Sequence, residues 1–290
     1  MVKLSIKKGD EPQFIYETTV DTSVDEVLAD VSAIYNGRLK VQRLCAEIED
    51  LAEHGITLPP NMQGLTDEQI SELKLKDEWA EKCTPQGGVR ENDDKIGRRN
   101  GQAPTEKMAE VLKKTCSEAK DMISKKKVQA NEMVTQQTVK EALDILRGAV
   151  TIVYPMGLPP HENIKMEFEN NEDLSGTQAS LDVIEEQNAS LWFSGKEMLR
   201  GRPIKDFVGK NEKTKVIAKL QKKGQGAPSR EPVVNEDQQK EMMAYYYKKQ
   251  EEMKKLDKEA EDAYLDSDWA DTQALKRNFH GLKDIKWGPR

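Results

Sequence analysis

Apolar and polar residues alternate through Val2-Lys3-Leu4-Ser5-Ile6-Lys7, the two-residue period of a strand with one buried face. Gly9-Asp10 turns the chain, and 14–20 reads as a second strand, so the two predict a hairpin. Thr22 or Ser23 then caps a helix with Asp25 and Glu26 in its first turn, where negative charge suits the helix dipole. Val24, Val27, Leu28, Val31 and Ile34 recur along it at helical spacing. Tyr35-Asn36-Gly37 either ends this helix or bends one that continues through Glu53.

Helical periodicity then dominates. Leu39, Leu44, Ile48 and Leu51 form a stripe that ends near His54-Gly55, where glycine suits a C-cap. Leu58-Pro59-Pro60 breaks the chain before Thr66-Asp67-Glu68-Gln69, a helix start leading through Ile70, Leu73, Leu75 and Trp79. Glycine, asparagine, proline and charge fill 84–104, which reads as a loop of disordered composition. Further helices are predicted over 105–126 (Met108, Val111, Leu112, Ala119, Ile123) and 138–146. Two apolar runs, 150–154 and 164–168, flank Gly157-Leu158-Pro159-Pro160 and read as a strand pair.

The stretch 191–220 places Leu191-Trp192-Phe193, a Ser194-Gly195-Lys196 turn, Gly201-Arg202 and Asp206-Phe207 in that order. A last alternating strand follows at 214–220, with Val216, Ala218 and Leu220 opposite Lys215, Ile217 and Lys219. This order resembles the second half of ubiquitin, and the ββα start resembles the opening of a β-grasp fold. The expected class is α+β: a small ubiquitin-like (β-grasp) sheet split by a long, mainly helical insertion, with a long C-terminal helix and extended tail.

The expected organisation is 1–38 for the first half-sheet and 39–149 for the helical insertion, including the loop 84–104. A strand pair and helix (150–189), the second half-sheet (190–223), a linker (224–234) and the C-terminal helix and tail (235–290) follow. Gly-Leu-Pro-Pro also resembles the helix exit of ubiquitin, so strands at 150–168 fit the same sheet equally well. Lys210, Lys213 and Lys215 fit either a recognition face or an edge strand on which lysine discourages aggregation.

Composition narrows the function. Of 290 residues, 36% are hydrophobic and 33% charged, which suggests long solvated helices around a small core. Acidic residues outnumber basic ones, 52 to 45, for a net charge of −7, which argues against nucleic acid as partner. Cys45, Cys83 and Cys116 are widely spaced and form no CxxC pair, so neither zinc knuckle nor disulfide framework is predicted. Free thiols fit a reducing compartment. No apolar run approaches the ~20 residues of a membrane helix, and MVKLSIKKGDE carries no signal-peptide core. The expectation is a cytosolic protein without membrane insertion.

Candidate chemistry is sparse. His54, His161 and His280 stand apart, so no metal site is expected. The loops Gly97-Arg98-Arg99-Asn100-Gly101-Gln102-Ala103-Pro104 and Gly224-Gln225-Gly226-Ala227-Pro228 lack the Gly-Lys-Ser/Thr of a phosphate-binding P-loop. They read as linker turns, or as extended segments that dock on a partner. Glu167, Glu169, Glu172 and Asp173 have no evident apolar pocket to shift their ionisation. Neither catalytic residue nor cofactor is predicted. The chain after Gly224-Gln225-Gly226 continues into Ala227-Pro228 rather than ending in Gly-Gly, so conjugation is not expected.

The C-terminal segment is the better candidate. A charged helix from Asn235 carries Met242, Met243, Tyr246, Met253, Leu256 and Ala260. Tyr245-Tyr246-Tyr247 occupies successive positions that cannot share one side of a helix. Trp269, Phe279, Leu282, Ile285 and Trp287 follow among charges. Such apolar residues either fold back on a core or anchor a partner, and Trp and Tyr are favoured hot-spot residues. The candidate partner-binding set is therefore Tyr246, Trp269, Phe279, Leu282, Ile285 and Trp287.

Several long blocks carry a closer resemblance: YNGRLKVQRL (35–44), AEHGITLPPNMQGLTDEQI (52–70), IGRRNGQAP (96–104) and LRGAVTIVYPMGLPP (146–160). EFENNEDLSGTQA (167–179), VGKNEKTKVIAKLQKKGQGAPSREP (208–232) and HGLKDIKW (280–287) continue it. With these the chain resembles the Kurly, or cilia- and flagella-associated protein 298, family from Tyr35 to the C-terminus. The resemblance implies a non-enzymatic cytoplasmic factor for motile cilia that promotes assembly of axonemal outer dynein arms. It implies partners among the dynein chains, chaperones, other assembly factors and a MYND zinc-finger assembly factor. It also implies a link to the basal body and the planar orientation of cilia. The alternative is a stable structural subunit of the axoneme or basal body.

Overall fold

The computed structural model describes residues 1–229 and 236–266, with Gln273, Lys276, Arg277 and His280. The chain divides into two compact units, Met1–Arg230 and Glu231–Arg290. The first begins with β1 (Val2–Lys8), β2 (Glu11–Thr18), α1 (Val24–His54), α2 (Asp67–Glu72), α3 (Glu78–Lys82), β3 (Val89–Glu91) and β4 (Gln102–Pro104). It continues with α4 (Glu106–Met122), α5 (Lys126–Gln129), α6 (Gln136–Val153), α7 (Asn163–Phe168) and α8 (Gln178–Asp182). β5 (Ala189–Phe193), β6 (Lys196–Glu197), α9 (Lys205–Val208) and β7 (Lys215–Lys222) complete it, and α10 (Glu236–Asp266) belongs to the second unit. The class is α+β, as expected.

Five strands form one sheet in the order β2-β1-β7-β5-β6. β1 and β2 make the expected hairpin, with an irregularity after Ile6 where Pro12 enters the ladder. Proline has no N–H to donate, and β2 is an edge strand, so the position tolerates it. At the centre β1 and β7 run parallel, with Leu4 opposite Val216 and Ile6 opposite Ala218. β5 flanks β7 antiparallel, with Leu191 opposite Leu220. Alternation sends Leu4, Ile6, Leu191, Val216, Ala218 and Leu220 to one buried face. Each large apolar side chain so buried contributes about 1.5–3 kcal/mol.

β7 is a central strand, which corrects the edge-strand reading of its lysines. It has a partner on both sides, and Lys215 lies opposite Lys3 in the ladder. Lys219 is buried and donates to Asp10 Oδ1 at 3.0 Å and to the Ser229 carbonyl at 2.8 Å.

α1 joins the sheet to the helical layer. Ser23 caps it by accepting from the Glu26 amide at 3.3 Å, and Gly55 closes it with φ 79°, donating to the Leu51 carbonyl. Its first half packs Val27, Leu28, Val31 and Ile34 into the same core as the sheet, and its second half packs Leu44, Cys45, Ile48 and Leu51 with Leu112 of α4 and Leu146 of α6. Of the two readings of Tyr35-Asn36-Gly37 the helix that continues through Glu53 is observed, and it runs across the expected 38/39 boundary. Gly37 is instead a contact point, since a Cβ there would stand 2.6 Å from Val139 Cγ1 of α6.

Two other expectations are corrected. The runs 150–154 and 164–168 are not strands, because Val150–Val153 continues α6 and the second run is α7. In α6 the buried residues Val139, Ala142, Leu146, Ala149, Val150 and Val153 keep one helical stripe, and Ile152 points to solvent. The β-branched residues cost a helix only tenths of a kcal/mol each, which burial of this stripe outweighs. The segment 84–104 is also ordered in part: β3 and β4 pair antiparallel, and Ala103 is fully buried.

Candidate partner-binding site

α10 contains neither glycine nor proline and is rich in Glu, Lys, Gln, Met and Ala, the strongest helix formers. Every described side chain from 238 to 259 is exposed. Tyr246 is 66% exposed, Met253 61% and Leu256 62%, and Met242 and Met243 are exposed with them. Tyr245 meets Tyr246 edge-on at 6.1 Å between ring centroids. The structure thus places Tyr246 on an open helix among methionines, whose flexible thioethers adapt to varied partner surfaces. The remaining candidates, Trp269, Phe279, Leu282, Ile285 and Trp287, lie outside the described residues.

In the first unit the segment Ile96-Gly97-Arg98-Arg99-Asn100-Gly101-Gln102-Ala103-Pro104 is no phosphate cradle. It docks on the chain's own α1. Arg98 Nη2 donates to Glu47 at 2.8 and 3.0 Å, and Arg99 Nη2 to the same carboxylate at 2.9 Å. Arg99 also donates to the Gly55 carbonyl at 2.7 Å. Asp94 accepts from the backbone amides of Ile96, Arg98 and Arg99 at 2.9 to 3.0 Å. Glu162, fully buried, accepts from the Thr57 amide at 2.8 Å and its hydroxyl at 2.6 Å. These residues hold the fold, and their positive charges face carboxylates rather than a ligand.

Beside them lies an apolar groove of about 630 Å³, lined by Trp79, Val150, Tyr154, Met156, Leu158 and Phe168. Sequence reading did not single it out. The available signal was Tyr154-Pro155-Met156-Gly157, where Gly157 at φ 83° turns the chain and leaves Met156 exposed. Burial, with Glu162 nearby, pushes the Tyr154 phenol up.

The carboxylates at 167–173 also have structural partners. Arg43 Nε donates to Glu167 at 3.0 Å and Lys40 Nζ to Glu172 at 3.0 Å, tying this segment to α1. Burial pushes Glu167 up despite Arg43. Glu167, Glu172 and Asp173 do line a cavity of about 330 Å³, which the sequence did not suggest.

The remaining reactive side chains sit in packing roles. His54 Nδ1 lies 3.3 Å from the Asn92 carbonyl and His161 Nε2 2.9 Å from the Thr57 carbonyl. Cys45 and Cys116, both buried, donate to each other's backbone carbonyls at 3.7 and 3.8 Å. The contact with Cys45, together with burial, pushes the Cys116 thiol up, so it is a poor nucleophile. Among the described residues no three His, Cys, Asp or Glu side chains group to hold a metal ion. No helix among them is long and apolar enough to cross a membrane.

The family model for cilia- and flagella-associated protein 298 matches residues 189–285, which include β5, β7 and α10. No solved structure matches the chain. The protein of that name from Homo sapiens is 63% identical over 290 residues and that from Danio rerio 62%, each over all of both chains. The Drosophila melanogaster protein is 51% identical over 287 residues, 99% of each chain. Identity at this level over the full length shows that the chain belongs to the cilia- and flagella-associated protein 298 family.

Proposed function

We infer that this chain is a non-enzymatic cytoplasmic factor for motile cilia, which promotes assembly of axonemal outer dynein arms by binding other proteins. The observation that carries this reading is α10, a long helix whose Tyr246, Met253 and Leu256 are exposed to solvent. Apolar side chains in such numbers on an open helix serve as an interface. Family membership supports a place at the cilium or flagellum. The partners proposed are a MYND zinc-finger assembly factor, chaperones and the dynein chains themselves. Trp269, Phe279, Leu282, Ile285 and Trp287 are proposed as further anchors, and roles at the basal body and in cilium orientation belong to the same reading.

The sheet is proposed to be of the ubiquitin-like β-grasp kind. Its order β2-β1-β7-β5-β6 with a central parallel pair supports this, as does α1 packed in the same core.

The test is quantitative mass spectrometry on a tagged chain purified from the cytosol of cells growing motile cilia. Dynein heavy chains with chaperones and the MYND-type factor are expected from the native chain, and loss of them from a Met253→Ser/Leu256→Ser chain. Recovery of tubulin-associated proteins from extracted axonemes instead, in fixed stoichiometry, would establish a structural subunit and overturn the reading.

A further inference from the structure

α10 carries a second level of order beyond its exposed apolar residues. Gln239, Met242, Tyr246, Lys249, Met253 and Leu256 are spaced alternately three and four apart, the repeat of a coiled-coil seam. This seam spans five such steps, roughly 26 Å at the helical rise. The positions beside it are Met243, Tyr245, Gln250, Glu252, Asp257 and Glu259. The charges among them are all acidic. Lys240, Lys248, Lys254, Lys255 and Lys258 lie at outward positions together with Glu241 and Glu251, so the flanks alone carry charge of one sign.

We propose that α10 docks an amphipathic helix of a different protein, with an apolar seam and lysine or arginine on its flanks. Residues beside a helical seam set partner choice through interhelical charge pairs. An acidic flank selects a basic one and rejects its like. A second copy of this chain is thereby disfavoured. A parallel homodimer sets Glu252 against Asp257 and opposes Lys249 to itself, and an antiparallel one with full seam overlap sets Glu252 beside Tyr245 and Glu259 beside Gln238, without a basic partner. Lys249, a single cation within the seam, fixes register by requiring an acidic or polar residue opposite it. The inference rests on α10 being the contact surface and adds what that surface selects.

The experiment is calorimetric titration of the full chain with two synthetic helices sharing one leucine seam, one flanked by lysine and the other by glutamate. The lysine-flanked helix is expected to bind at least about tenfold tighter. A Glu252→Lys/Asp257→Lys/Glu259→Lys chain is expected to reverse that order. The Met253→Ser/Leu256→Ser chain, its helix content checked by circular dichroism, is expected to lose binding.

Equal binding of the two helices overturns the proposal, and so does undiminished binding by the serine variant, which would mark general attraction to an acidic protein. Sedimentation equilibrium showing the chain alone as a dimer through α10 overturns it as well. Loss of cytosolic dynein partners from the serine variant without any charge preference would remove this inference and leave the proposed function standing. Charge-selective binding with dynein partners fully retained by that variant would do the reverse.

Discussion

The side-chain amide of Asn36 makes two hydrogen bonds to one residue: Nδ2 donates to the Ile184 carbonyl at 2.7 Å, and Oδ1 accepts from the Ile184 amide at 3.0 Å. Ile184 is 0% exposed. A helix side chain thus takes the place of a neighbouring strand and holds the segment that leads into β5.

Asn36→Ala leaves both backbone groups of Ile184 without their partner. A buried donor or acceptor stripped this way costs about 1–3 kcal/mol. Chemical denaturation should show a lower midpoint at unchanged slope. An unaltered midpoint would mean that these bonds contribute nothing net.

Arg99 is 4% exposed and lies 3.5 Å from the fully buried Glu162. Removing one member of a buried pair leaves the other charge uncompensated, which costs about 3–5 kcal/mol. Arg99→Ala should therefore lower the melting temperature far more than Arg98→Ala, whose side chain is 37% exposed. Equal losses would show that Arg99 is no more critical than the shared contact with Glu47.

Gly37 faces Val139 so closely that an added Cβ meets Cγ1 at 2.6 Å. Gly37→Ala improves helix propensity by about 1 kcal/mol, but the clash forces α6 away from α1. Overpacking of this kind costs typically 1–3 kcal/mol. The double variant Gly37→Ala/Val139→Ala should recover part of the loss. Strictly additive effects in that cycle would refute the contact.

Acid should loosen the segment around Arg98. Burial pushes Glu47 up, but Arg98, Asn163 and Arg99 together hold the carboxyl below its ordinary 4.5. Burial opposes Asp94 too, yet amides of Ile96, Arg98 and Arg99 hold it below 3.8. A carboxyl depressed in the folded state adds stability above its unfolded pKa and loses it as pH falls through the folded value. The melting temperature should therefore fall with pH below about 4.5, and more gently in Glu47→Gln. Parallel curves for the two proteins would rule this carboxylate out as a source of the acid sensitivity.

Local chemistry alone determined much of this protein. β1 is legible from Val2, Leu4 and Ile6, the start of α1 from Ser23, its end from Gly55, and β7 from Val216, Ala218 and Leu220. Each signal lies within a few residues, where period and capping act directly. The apolar residues of α10 are legible for the same reason, since Met242, Tyr246, Met253 and Leu256 lie on a run of strong helix formers.

Tertiary structure decided the rest. The run 150–154 is rich in β-branched residues, yet the buried stripe it shares with Leu146 makes it helix. Arg99 sits in a segment of loop composition and becomes buried only because Glu47 and Glu162 arrive from distant elements to neutralise it. Gly37 fits either the end of a helix or a point within one that continues, until α6 is packed against it. In each case the deciding partner lies far along the chain, and the free energy of burial or charge pairing exceeds the local preference.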